Sequence, residues 1–125
     1  MKRVLVIDDC AVVRQAAGGA LARAGFSVVE VSDGLAAIAV LGGLTPRDPP
    51  ITAVLCDLEM PRLDGVATVH ALRADPRWHA LPIIMLARDG VPELIERATR
   101  AGAQGFIRKP FDELLLVTAV QRLTA

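Results

Sequence analysis

The stretch VLVIDDC (4–10) runs four apolar residues straight into two adjacent carboxylates, Asp8 and Asp9. Like charges side by side repel, and such a pair persists where a cation lies between them or a proton is shared. A third acid, Asp57, closes the apolar run AVLC (53–56), and Glu59 follows two residues later. Neither DDC nor CDLEM carries a basic residue, so the neutralising charge has to come from outside these strings. A hard divalent cation meets the need. Mg2+, or Mn2+ in its place, takes oxygen ligands, and Mg2+ typically uses one or two carboxylates and keeps several waters, which leaves room for a phosphate. One Asp at a strand end is commonly a turn or cap residue. Three at two strand ends that converge point to a metal. Lys109 follows the run GFIR (105–108), is fixed by Pro110, and is placed to reach an oxyanion held at that metal.

The elements that must position these groups are short apolar runs alternating with helical patterns. The runs are VLVI (4–7), FSVVEV (26–31), AVLC (53–56), PIIMLA (82–87) and GFIR (105–108). The first, third and fourth lack polar alternation, as expected of parallel strands covered on both faces. The second alternates more and reads as an edge strand. Val13, Ala17, Leu21 and Ala24 follow one helix face, with Gly25 placed as the C-terminal cap. Leu116, Val120 and Leu123 mark the core face of the last helix. Leu114, Leu115 and Val117 are additional apolar positions, read either as a wider core stripe or as an exposed docking patch. Gly18-Gly19 inside the first helix costs roughly 1 kcal/mol per glycine against alanine, a cost consistent with close packing on the sheet. GGLTPRDPP (42–50) reads as a surface loop. Five βα units predict an α/β fold, a doubly wound five-stranded parallel sheet. In open sheets of that kind, sites form beyond the carboxyl ends of the strands.

A chain of 125 residues suits one domain spanning 1–125. Its 14 Lys and Arg balance 14 Asp and Glu, which argues against nucleic acid as the primary partner. No apolar run reaches the ~18 residues of a transmembrane helix, and the start does not read as a signal peptide. Two cysteines, Cys10 and Cys56, form no disulfide framework and are assigned packing roles. The composition fits a reduced, cytoplasmic domain.

VLVIDD, CDLEMPRLDG, PIIMLARD and AGAQGFIRKPF, in this order and across essentially the whole chain, resemble the receiver domain of two-component response regulators. The resemblance implies a flavodoxin-like sheet of strand order 2-1-3-4-5. It implies that Asp57 accepts a phosphoryl group from a histidine kinase or phosphotransfer protein in an Mg2+-dependent reaction. Asp9 and Asp57 would hold the metal directly, Asp8 mainly through water, and Glu59 through its backbone carbonyl. Lys109 would contact the phosphoryl oxygens, and the Lys109-Pro110 bond would be cis. The domain would not be an enzyme beyond its own phosphoryl transfer and autodephosphorylation. It would signal by protein contact, with the helix 4/strand 5/helix 5 face as the candidate surface.

Three positions depart from the family. Ala87 stands where the family has Thr or Ser, whose hydroxyl bonds the phosphoryl group. The next hydroxyl downstream, Thr99, falls in the buried pattern of the following helix. Phe106 stands where Tyr is frequent, and a phenyl ring can pack but not donate a hydrogen bond. Arg88 replaces a small side chain and is placed to shield the site or bind the phosphoryl group. These changes spare the acids and the lysine but remove the usual readout, so an atypical switch is expected. The alternative is a receiver-fold interaction module that works without phosphorylation. A phosphatase reading is disfavoured, because DLE offers only Glu59 two residues after Asp57.

Overall fold

The computed structural model describes residues 2–125. Five strands, β1 (Arg3–Ile7), β2 (Ser27–Val31), β3 (Ile51–Asp57), β4 (Ile83–Ala87) and β5 (Gly105–Arg108), alternate with five helices. The helices are α1 (Ala11–Arg23), α2 (Gly34–Gly42), α3 (Gly65–Ala74), α4 (Pro92–Ala101) and α5 (Glu113–Leu123), with a 3-10 turn at Pro76–Trp78. The strands form one parallel sheet in the order β2-β1-β3-β4-β5. The fold class, the strand order and the edge position of β2 agree with the expectations from sequence. The strands match the five apolar runs, with β3 starting two residues earlier and including Asp57.

Side chains alternate across the sheet and fill two cores. Val4, Val6, Leu55 and Leu86 pack against Ala17 and Leu21 of α1 and Leu116 and Val120 of α5. Leu5, Ile7, Val54 and Met85 pack on the other face against Leu41 of α2, Val69 and Leu72 of α3 and Ala98 of α4. Because β1, β3 and β4 are covered on both sides, their sequences are continuously apolar.

Local chemistry sets the helix ends. Asp33, Asp64 and Asp112 cap α2, α3 and α5 by accepting hydrogen bonds from backbone amides of the first turn. Gly25 closes α1 at φ 97°, with Gly25 N–H donating to Ala22 O and Phe26 N–H donating to Leu21 O. This double return is the Schellman arrangement, and buried Phe26 adds its hydrophobic contact. Gly18 lies where a Cβ would sit 2.8 Å from Glu30 Oε2 of β2, the mobile end of an exposed side chain, and in ordinary contact with Val28 at 3.4 Å. Gly19 faces only the Arg23 side chain.

Three burial assignments need correction. Leu123 is 36% exposed, at the rim of the core and not within it, because α5 is ending there. Ala24 is exposed, since it is the C-cap of α1. Thr99 is exposed on the outer side of α4, and its hydroxyl donates to Ile95 O one turn back. Of the extra apolar residues on α5, Leu114 and Leu115 are exposed while Val117 packs on the core.

Candidate functional site

The β1–β3 register opposes Ile7 to Cys56, so the next residue on each strand, Asp8 and Asp57, emerges at the same level. Asp9 follows at the start of the β1–α1 turn. One carboxylate oxygen from each of Asp8, Asp9 and Asp57 lies within 4.8 Å of the others. Asp8 is fully buried, Asp57 is 5% exposed and Asp9 is open to solvent.

Backbone groups hold the acids in place. Asp8 N–H donates to Val31 O, and Asp8 Oδ1 accepts from Cys10 N at 2.9 Å. The Arg14 guanidinium donates to Asp8 O at 2.7 Å, binding α1 to the strand end. Gly65 opens α3 directly against the end of β3. A Cβ there would lie 2.4 Å from Asp57 O and 2.7 Å from Leu58 Cα, so only glycine fits.

Lys109 completes the cluster from the far side of β4. Its backbone N–H donates to Ala87 O at 2.8 Å, and the Lys109-Pro110 peptide is cis. The ammonium donates to Asp57 Oδ1 at 2.8 Å and also lies 2.8 Å from Asp8 Oδ2. Burial pushes the Asp57 carboxyl up. The Lys109 hydrogen bond and charge pull it back, and the neighbouring Asp8 and Asp9 raise it again, for a net value of about 6. For Lys109 burial acts downward, but its pairing with Asp57 and Asp8 outweighs it and holds the ammonium above its ordinary value. One cation therefore faces three acids, and the cluster is short of positive charge.

This shortage, together with one atom, tests the fit of a divalent cation. Asp8 Oδ2 is buried and, despite the nearby ammonium, accepts no hydrogen bond of acceptable geometry. The ammonium is shared with Asp57 and offsets only part of the cost of burying this carboxylate, and metal coordination at Oδ2 would relieve the rest. The donors are all carboxylate oxygens, the set preferred by Mg2+ and Mn2+. The residues present fit the ion.

Asp57, Glu59, Arg88 and Lys109 line a hollow of about 200 Å3 beside the cluster. Ala87, 2% exposed, ends β4 with a methyl group and no hydroxyl. Arg88 pairs with Glu59 through two contacts, Nε to Oε1 at 2.7 Å and Nη2 to Oε2 at 3.2 Å. Phe106 is 54% exposed on β5. Cys56 is buried among the acids, and desolvation with the charge of Asp57 pushes its thiol far up, consistent with a packing role.

Sequence reasoning placed the acids, the lysine and Arg88 here but missed two ion pairs. The Glu59 side chain holds Arg88 across the hollow. Asp33, nearly buried, pairs with Arg62, which has φ 66° in the loop after β3. That loop carries Glu59 into α3, so the pair steadies a left-handed residue that is uncommon outside glycine and asparagine. Both pairs join residues 29 apart in sequence, and no local pattern marks them.

A doubly wound parallel sheet with an acid cluster and a lysine at the carboxyl ends of β1, β3 and β5 defines the flavodoxin-like signalling class. The profile of the response regulator receiver domain matches residues 4–121, and the chain belongs to that family. It is 33% identical to Histidine kinase 2 of Arabidopsis thaliana over 97% of the chain, and spans only 12% of that protein. It is 27% identical to the chemotaxis protein CheY of Pseudomonas aeruginosa, covering 97% of the chain and 94% of the relative. Among solved structures, chemotaxis protein CheY4 of Vibrio cholerae superimposes with a TM-score of 0.89 at 30% identity, covering 98% of both chains. The receiver domain of a signal transduction histidine kinase from Syntrophus aciditrophicus gives a TM-score of 0.87 at 26% identity, covering 99% of this chain and 90% of that one. The chain is thus a two-component receiver domain, a signalling domain and not a conventional enzyme. Among the described residues, no helix is long and apolar enough to cross a membrane.

Proposed function

We propose that the protein accepts a phosphoryl group on Asp57 from a phosphohistidine of a histidine kinase or phosphotransfer protein. The observation that carries this reading is the buried Asp57 carboxylate, hydrogen-bonded by Lys109 at 2.8 Å and clustered with Asp8 and Asp9. In the transfer, an Asp57 carboxylate oxygen forms a bond to phosphorus as the P–N bond to the donor imidazole breaks. Charge spreads over the equatorial phosphoryl oxygens, and there is little covalent work for the protein beyond position and electrostatics. Asp8, Asp9, Asp57 and the Glu59 carbonyl would hold Mg2+ or Mn2+, which supplies neutralisation of the phosphoryl charge. Lys109 is placed to leave Asp57 Oδ1 for a phosphoryl oxygen. The site opens at the solvent-exposed Asp9 and Glu59 end, so a partner's histidine has access.

The signal is passed by protein contact, with residues 1–125 acting as one domain in the cytoplasm. The readout is atypical. Without a hydroxyl at Ala87, the occupied state lacks a charge-assisted hydrogen bond of roughly 1.5–3 kcal/mol, comparable to a typical allosteric coupling of about 1–3 kcal/mol. The buried Ala87 methyl and the exposed Phe106 favour a second reading, an interaction module whose contacts do not depend on phosphorylation.

Incubation with acetyl phosphate and Mg2+, followed by intact mass, tests the proposal. One labile phosphoryl group should appear, and Asp57→Asn should abolish it. A phosphoryl group that persists in the variant contradicts the assignment.

A further inference from the structure

The Arg88–Glu59 pair borders the acceptor hollow, and nothing in the proposed transfer uses it. Arg88 is the residue after Ala87, so it begins the β4–α4 loop at the point where the hydroxyl is missing. Its guanidinium engages Glu59 in a two-pronged contact, and both side chains line the same hollow as Asp57 and Lys109. The side chains are 62% and 42% exposed, so the pair is held weakly and is screened by water.

We infer that Arg88 is a second phosphoryl-binding cation, with Glu59 as its resting counter-ion. A phosphoryl group on Asp57 offers more negative charge than a carboxylate, along with acceptor oxygens matched to a guanidinium fork. Occupancy of Asp57 draws Arg88 off Glu59 and onto the phosphoryl oxygens. Glu59 is left in water, where an unpaired carboxylate costs little. The exchange supplies, from the next residue, a contact that Ala87 cannot make. It also carries occupancy into the start of the β4–α4 loop; the next link, Asp89 to Arg108 of β5 at 2.9 Å, joins side chains that are both largely exposed and screened by water, so the effect stops short of Phe106. An apparent surface ion pair thereby becomes the state-dependent contact that any coupling requires. The inference rests on Asp57 as the acceptor.

Beryllofluoride with Mg2+ is the probe, read by amide and arginine side-chain NMR. Arg88→Ala, at an exposed position, should weaken beryllofluoride binding about tenfold, the scale of one charge-assisted hydrogen bond. Arg88→Lys should fall between, because it keeps the charge and loses the fork. The Arg88 Nε–H resonance should differ between free wild type and free Glu59→Gln, and should coincide when both are saturated with beryllofluoride. An Arg88 resonance that beryllofluoride leaves in place, or unchanged affinity in Arg88→Ala, overturns the exchange while leaving the acceptor intact. Failure of beryllofluoride to shift any amide around Asp57 overturns the acceptor reading, and this inference with it.

Discussion

Replacing Asp57 by Asn should change the pH dependence of stability in a metal-free buffer. The Asp57 carboxyl is raised from 3.8 to about 6, first by burial and then by Asp8 and Asp9, against the pull of Lys109. A group raised in the native state binds a proton there that the unfolded chain has already released. Its ionisation therefore costs nothing below about pH 4, and the cost grows between about pH 4 and 6 and is complete above that. Taken at face value, the displacement amounts to about 3 kcal/mol. Allowing for water at the open end of the cluster, about 1–2 kcal/mol is expected. Asn has nearly the same shape and keeps an oxygen for Lys109 but cannot ionise. Wild type and Asp57→Asn should have similar stability near pH 4, and the variant should be about 1–2 kcal/mol more stable at pH 7. For a domain of this size that is several degrees in Tm. Urea titrations in EDTA at pH 4, 5, 6 and 7 measure the difference directly. A difference that does not vary with pH, or that moves toward wild type as pH rises, would refute the electrostatic account.

Other consequences are equally concrete. Mg2+ should raise the wild-type Tm, by the equivalent of about 2.7 kcal/mol at a hundred times Kd; Asp9→Ala should lose most of that response in the same scanning calorimetry. Gly65→Ala should destabilise the fold by about 1–3 kcal/mol or more in urea titrations, because its Cβ would lie 2.4 Å from Asp57 O, a backbone atom that cannot swing aside. Beryllofluoride with Mg2+ should shift amides near Asp57 but few around Phe106 and α5, and Ala87→Thr should extend the shifts to that face. Large shifts there in the unmodified protein would show that coupling runs by another route.

Much of this architecture was legible because it rests on local patterns. Covered parallel strands read as unbroken apolar runs, so β1, β3 and β4 and the acids at their ends could be placed before the fold was known. Gly25 was legible because an αL helix cap strongly prefers glycine. The Arg88–Glu59 and Asp33–Arg62 pairs were not, since loop conformation alone brings their partners together. Leu123 misled because periodicity reports which side of a helix a residue occupies and not where the core stops along its length. Phe106 showed no sign of its exposure, since β5 is an edge strand and its burial depends on what lies beyond the sheet.

The central claim is that Asp57, and no other residue, carries the phosphoryl group. After incubation with a small-molecule phosphodonor and Mg2+, borohydride reduction converts an aspartyl phosphate to homoserine, which peptide mass spectrometry locates by residue. The account predicts homoserine at position 57 alone, and none in protein treated without Mg2+. Homoserine at Asp8 or Asp9, or its absence from position 57 in a sample that carries the phosphoryl mass, would contradict it.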